Sequence, residues 1–190
     1  SLEHIQAWKL QVLEEQPQIA HSVSAVRYQL LLRAFWQAGE QGSQARSSAE
    51  EAFQFFLNER QKVTLFPGVL ELLRQLRNEG WKLGALSNGN ADVRRVGLAG
   101  CFDFALNADG LGIGKPDAAV FRAAAALAGV EARQAVHVGD NPLDDVAGAL
   151  GAGWQAIWFN PQGQAWQDDG KPSAELRQLE QLPKLLEQLF

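Results

Sequence analysis

The 190-residue chain has one cysteine, no methionine, one tyrosine and three histidines. A lone Cys101 excludes an intrachain disulfide framework and fits a reducing compartment. His4, His21 and His137 lack metal-ligand spacing and read as structural or surface residues. No apolar run reaches the length of a membrane span, and Ser1-Leu2-Glu3-His4 lacks the basic and apolar blocks of a leader. The expectation is a cytoplasmic protein with no membrane partner. An excess of positive charge is also absent: the formal net charge is -5, so bulk attraction to nucleic acid is not expected.

Hydrophobic residues at 46% and charged residues at 21% describe a globular chain, long enough for one domain with a small appendage. Two halves differ in pattern. Residues 1–61 read as a helical subdomain of three helices. The first carries Ile5, Trp8, Val12 and Leu13 and closes at Pro17. The second is capped by Ser22 or Ser24 and stops at Gly39, and the third is opened by a capping-box-like Ser47-Ser48-Ala49-Glu50-Glu51. Trp8, Phe35, Trp36, Phe53 and Phe56 read as its core.

Residues 62–190 alternate helices with short apolar runs. Strands are expected at 83–86, 102–106, 135–138 and 154–158, and helices at 69–78, 91–96, 117–128, 142–150 and 173–189, the last interrupted at Pro183. Continuous apolar strands between helices mean an α/β fold with a parallel, Rossmann-like sheet covered on both faces. Ligands in such sheets bind beyond the carboxyl ends of the strands, so the polar residues there carry the chemistry.

Three clusters occupy those ends: Ser87-Asn88-Gly89-Asn90, Gly114-Lys115-Pro116-Asp117 and Gly139-Asp140-Asn141-Pro142-Leu143-Asp144-Asp145. Hard carboxylate oxygens at Asp140, Asp144 and Asp145 suit Mg²⁺, although acidic residues also favour a helix N-terminus. Lys115, held between glycine and proline, can neutralise a nucleophile and a phosphoryl group together. Ser87 and Asn88 can hold phosphate oxygens, or simply shape a turn. Gly110-Leu111-Gly112-Ile113-Gly114-Lys115-Pro116 is no P-loop, because Pro116 stands where Ser or Thr is required.

In order, these clusters resemble the motifs of the haloacid dehalogenase-like hydrolase superfamily. Ser87 matches its second motif, Lys115 the third, and Asp140 and Asp145 the fourth, followed by Gly148-Ala149-Leu150-Gly151-Ala152-Gly153. The resemblance covers residues 66–160, and 1–61 is similar to the small helical cap of these enzymes. Glu15-Gln16-Pro17-Gln18-Ile19-Ala20-His21 and Asn88-Gly89-Asn90 further resemble a bacterial phosphatase branch acting on FMN and a riboflavin-pathway phosphate. The resemblance implies a Mg²⁺-dependent phosphatase of small phosphorylated metabolites, working through an aspartyl-phosphate. Asp140, with Asp145 and Asp144, would hold the metal, Lys115 would be catalytic, and Ser87 and Asn88 would bind phosphate.

The family's first motif, Asp-x-Asp, occurs nowhere in the chain. The expectation is therefore a lost N-terminal segment that supplies the nucleophile, and an inactive remainder. The resemblance places its strand centrally, between the strands ending at Leu86 and Val138; without it two edges would stand ~10 Å apart with unpaired backbone groups. Another strand is expected there, from a separate peptide, a rearranged segment, or a second copy by strand exchange or homo-oligomerisation. The alternatives are a metal-independent dehalogenase, a serine hydrolase using Ser87, and a non-catalytic interaction module.

Overall fold

A computed structural model describes residues 2–168 and 170–190. Helices α1 (Leu2–Glu15), α2 (Val23–Gln37) and α3 (Gly42–Arg60) open the chain. Proline at 17 ends α1, and Pro17–Ile19 forms a 3₁₀ turn. Ser22 then caps α2: its hydroxyl accepts the Ala25 N–H at 2.9 Å, satisfying one of the free donors of the first turn. The two longest helices pack through Leu32, Ala45 and Ala49, with Tyr28, Leu31 and Phe35 around them. The small Ala45 and Ala49 allow α3 to lie close against α2.

Two expectations fail in this layer. The third helix begins at Gly42, so Ser47-Ser48-Ala49-Glu50-Glu51 lies inside it, and Ser48 reaches back to Glu40 instead (2.7 Å). Trp36 is 49% exposed and is not core.

The remainder comprises α4 (Val69–Asn78), β1 (Gly84–Ser87), β2 (Phe104–Asn107), α5 (Ala108–Leu111), α6 (Ala118–Ala128), β3 (Val136–Gly139), a π-helix (Pro142–Ala147), α7 (Gly148–Gly151), β4 (Gln155–Phe159), β5 (Ala174–Leu176) and α8 (Leu182–Leu189). All strand pairs are parallel. Strand β4 shows why: Ile157 packs with Leu72, Leu76, Leu176, Leu182 and Leu186 on one face, while Ala156 and Trp158 pack with Val120, Phe121, Val146 and Ala149 on the other. Successive side chains point to opposite faces, so a strand buried on both faces must be apolar throughout.

The segment after Phe159 corrects the sequence reading. The helix expected over 173–189, interrupted at Pro183, is replaced by β5, a 3₁₀ turn and α8, with Pro183 in the first turn of α8. Buried Asn160 organises this: its amide donates to Gln164 O and Glu175 Oε1, both at 2.9 Å. Residues 91–96 form turns rather than a helix.

The strands form two sheets, β1-β2 and β3-β4-β5, instead of one. No strand of the described residues lies between β1 and β3, so no rearranged segment fills that position. Each of these two strands keeps one edge outside any ladder.

Leu176 is fully buried in the layer shared by β4, α4 and α8. Leu176→Ala is expected to cost about 2–5 kcal/mol, read as a fall in the urea midpoint at unchanged slope. A loss under about 0.5 kcal/mol would mean that β5 is not part of this core.

Candidate active site

Ser87, Lys115 and the run 140–145 converge where β1 and β3 face each other. The ammonium of Lys115 lies between the two strands. It donates to Leu86 O (3.0 Å) and Asp145 Oδ1 (2.5 Å), and stands 3.3 Å from His137 Nε2. The Lys115 and Asp145 side chains are 9% and 7% exposed, so this pair is shielded from solvent. Leu86 O and Asp145 Oδ1 accept two of its three protons, while the His137 Nε2–H is directed at Asp145, so that nitrogen neighbours the ammonium without accepting from it.

Asp145 is held on every side. His137 Nε2 lies 2.9 Å from Oδ1, and the Asn141 N–H donates to Oδ2 at 2.9 Å. Burial alone would raise its pKa. The hydrogen bonds from His137, Lys115 and Asn141, with the lysine's charge, outweigh burial and hold the carboxyl well below the usual range. His137 moves the same way: burial lowers its pKa, the hydrogen bond to Asp145 partly restores it, and the Lys115 charge lowers it further.

Local sequence makes the convergence possible. A Cβ at Gly139 would stand 2.2 Å from Asp145 Cγ, so only glycine lets the carboxylate fold against the end of β3. Asn141 caps the π-helix, accepting the Leu143 and Asp144 N–H groups at 3.0 and 2.9 Å. The capping role that the sequence also allowed for the aspartates thus falls to Asn141, which leaves Asp140 exposed and Asp144 half-buried. Trp158 Nε1 fixes the Asp140 backbone oxygen at 3.1 Å.

Asn88 ties the motifs together. Its Oδ1 accepts the Lys115 N–H (2.7 Å), and its amide donates to Lys115 O (2.8 Å) and Asp144 Oδ2 (3.2 Å). The side chain therefore positions the lysine loop, leaving the backbone and Ser87 to face a ligand. Ser87 is exposed, its hydroxyl accepting the Gly89 N–H at 2.9 Å. No histidine of the described residues hydrogen-bonds Ser87, so a Ser–His hydrolase lacks its base here.

The donor set fits Mg²⁺. Asp140 and Asp144 offer carboxylate oxygens, whereas both Asp145 oxygens are taken by protein donors. No three His, Cys, Asp or Glu side chains among the described residues cluster to enclose a metal. One or two carboxylates completed by water and substrate oxygens is the usual Mg²⁺ arrangement.

Asn141 and His137 were not singled out for the site from the sequence. Asn141 carried a signal, an Asx residue before proline at a helix start. The part of His137 depends on a strand side chain meeting a lysine 22 positions earlier, which no local pattern encodes.

Parallel strands under two helical layers, with serine, lysine and aspartates at the strand ends, define an α/β hydrolytic enzyme of Rossmann-like fold. The chain belongs to the haloacid dehalogenase-like hydrolase family, whose model matches residues 2–153. It is similar to the 5-amino-6-(5-phospho-D-ribitylamino)uracil phosphatase YigB of Escherichia coli, 31% identical over 188 residues, covering 97% of this chain and 79% of that protein. A phosphoserine phosphatase of Thermus thermophilus is 38% identical over 133 residues, covering 67% of this chain and 53% of the relative. Among solved structures, a 2-haloacid dehalogenase from Pseudomonas syringae pv. Tomato matches with a TM-score of 0.93 and 47% identity, over 100% of this chain and 82% of that one. No described helix is long and apolar enough to cross a membrane.

Both buried titrations give a signed expectation. In the unfolded chain His137 takes up a proton near pH 6.5 and Asp145 near pH 4, whereas in the fold both resist protonation. The unfolded state then binds more protons, so stability falls as pH drops from 7 toward 5, and again below about 4. His137→Gln is expected to remove the first fall and keep part of the second, read from urea midpoints between pH 7 and 3. An unchanged slope between pH 7 and 5 would mean the His137 ring is not held neutral.

Proposed function

We propose that this chain forms most of a Mg²⁺-dependent phosphatase of small phosphate monoesters, completed by a strand that carries an aspartate nucleophile between β1 and β3. The observation that carries this reading is the Lys115 ammonium, held by Leu86 O and Asp145 between two strand edges that pair with no described strand on that side. A carboxylate brought there on a paired strand would meet a fixed cation. The donor of that strand is a segment other than this chain, which carries no Asp-x-Asp.

The chemistry then divides among named groups. The carboxylate oxygen attacks phosphorus, the bond to the ester oxygen breaks, and the departing alkoxide takes a proton from water. Water then cleaves the acyl phosphate, returning the carboxylate and inorganic phosphate. Lys115 lowers the repulsion between nucleophile and phosphoryl group, and Ser87 with the adjacent N–H groups orients the phosphoryl oxygens. Asp140 and Asp144 would hold Mg²⁺, which neutralises charge on those oxygens when bound. Asp145 sets the position of Lys115, and α1–α3 act as a cap over the site.

A second reading, metal-independent 2-haloacid dehalogenation, is favoured by the 47% identical structure. The aspartates at 140 and 144 favour the phosphatase, because a carbon–halogen displacement has no need of a cation site.

Against p-nitrophenyl phosphate with Mg²⁺, the 190-residue chain alone is expected to stay near background, and the chain joined to an aspartate-bearing strand to turn over. EDTA or Asp140→Asn should abolish that turnover, and Lys115→Ala should lower kcat about 10²–10³-fold. Metal-independent halide release from 2-chloropropionate, without phosphatase activity, would establish the second reading instead.

A further inference from the structure

A pocket of about 380 Å³ opens beside the end of β4, bordered by Pro142, Trp158, Gln164, Trp166 and Asp168 among others. That volume is in the range of small-molecule sites, ~300–1,000 Å³. Its two indoles meet edge to face, with centroids 5.0 Å apart and planes inclined at 75°. Trp158 is buried and forms the floor, whereas Trp166 is half-buried and forms a wall.

What this lining offers a ligand follows from what it has already spent. The Trp158 Nε1–H donates to Asp140 O (3.1 Å) and the Trp166 Nε1–H to Asp168 O (2.7 Å), so neither indole has a donor left. Pro142 has no N–H to give. The Gln164 N–H donates to Asn160 Oδ1 and its side-chain amide to Gln162 Oε1, both at 2.9 Å. The Asn160 amide in turn holds Gln164 O at 2.9 Å, so the loop leading to Trp166 is fixed by a residue only 3% exposed.

Left over are the faces of two indoles, the negative side of the ring quadrupole, and the carboxylate of Asp168. None of the described side chains around the pocket is basic. An anion finds neither a ring donor nor a positive charge there, whereas a cation is attracted by both rings and by Asp168. A ring holds a cation that lies within about 6 Å of its centroid, and at this separation one cation satisfies both indoles at once. An ammonium with N–H groups would give up hydrogen bonds to water in such a corner; a fully methylated one has none to lose.

We infer that this pocket is a binding site for a quaternary ammonium group, held between Trp158, Trp166 and Asp168. The pocket is built by the loop after β4, so its occupant is independent of the reaction carried out at the strand ends.

Choline and 3,3-dimethylbutan-1-ol share one shape, and only choline carries the charge. Titrated calorimetrically into the 190-residue chain, choline is expected to bind saturably below about 10 mM, and the neutral isostere at least about tenfold more weakly. W166L should lower choline affinity about tenfold and abolish the discrimination, while W166F, which keeps a ring, should retain part of both. Circular dichroism checks the fold of each variant. D168N, at an exposed side chain, should weaken choline about threefold, a difference that shrinks at high salt. Phosphatidylcholine vesicles distinguish the sources of the group: cosedimentation released by choline identifies a lipid headgroup, and choline binding without cosedimentation identifies a free small molecule. Equal binding of the neutral isostere, a choline affinity unmoved by W166L, or no saturable choline binding overturns the inference.

Discussion

Lys115 and Asp145 bring opposite charges into a space that water hardly reaches, and much of the molecule is arranged so that neither stands alone. Taking either charge from water costs several kcal/mol, repaid only if its remaining bonding capacity is filled. Leu86 O accepts a further proton of the lysine, and the His137 Nε2–H and the Asn141 N–H fill the remaining capacity of the aspartate. Because Leu86 belongs to β1 and His137 to β3, the pair also links two sheets that share no backbone ladder. One interaction thus sets the spacing of the strand ends and the place of the reactive cation.

That constraint explains several residue types at once. Glycine at 139 lets Asp145 approach, and a Cβ at Gly114 would stand 2.9 Å from the Asn88 oxygen that accepts the Lys115 N–H. The π-helix at 142–147 begins with Asn141 as cap and brings the Asp145 and Val146 N–H groups onto the same Asn141 carbonyl, at 3.0 and 3.3 Å. Such local widening of a helix is common at functional sites. Asp140 and Asp144 lie outside the buried pair, Asp140 exposed and Asp144 half-buried against the Asn88 amide.

The helical layer is tied to this centre by polar contacts, through Ser24, Asn90, Asp109 and Gln61. Polar links between layers can be exchanged with water at small net cost, unlike a continuous apolar core. The layer bears on the loop after β1 through hydrogen bonds with Ser24 and Gln61.

Periodicity and turn residues were enough to read α1, α2, α4, α6 and four of the five strands, because local steric preference and burial on both faces leave their mark on neighbouring residues. The order of Ser87, Lys115 and Asp140 to Asp145 was also legible, since each follows or precedes a recognisable strand or helix. Strand β5 was not: Ala174–Leu176 is three residues long, and it extends because β4 offers a free edge and Asn160 fixes the loop before it. The start of α3 was misread for a related reason, as Ser47 and Ser48 bear a capping pattern that packing against α2 overrides. Composition and local pattern determined the class of fold and the chemistry available at the strand ends. Only the tertiary structure decided that Asn88 is spent on positioning and that Asp145 pairs with Lys115, because each depends on groups distant in sequence competing for the same few partners.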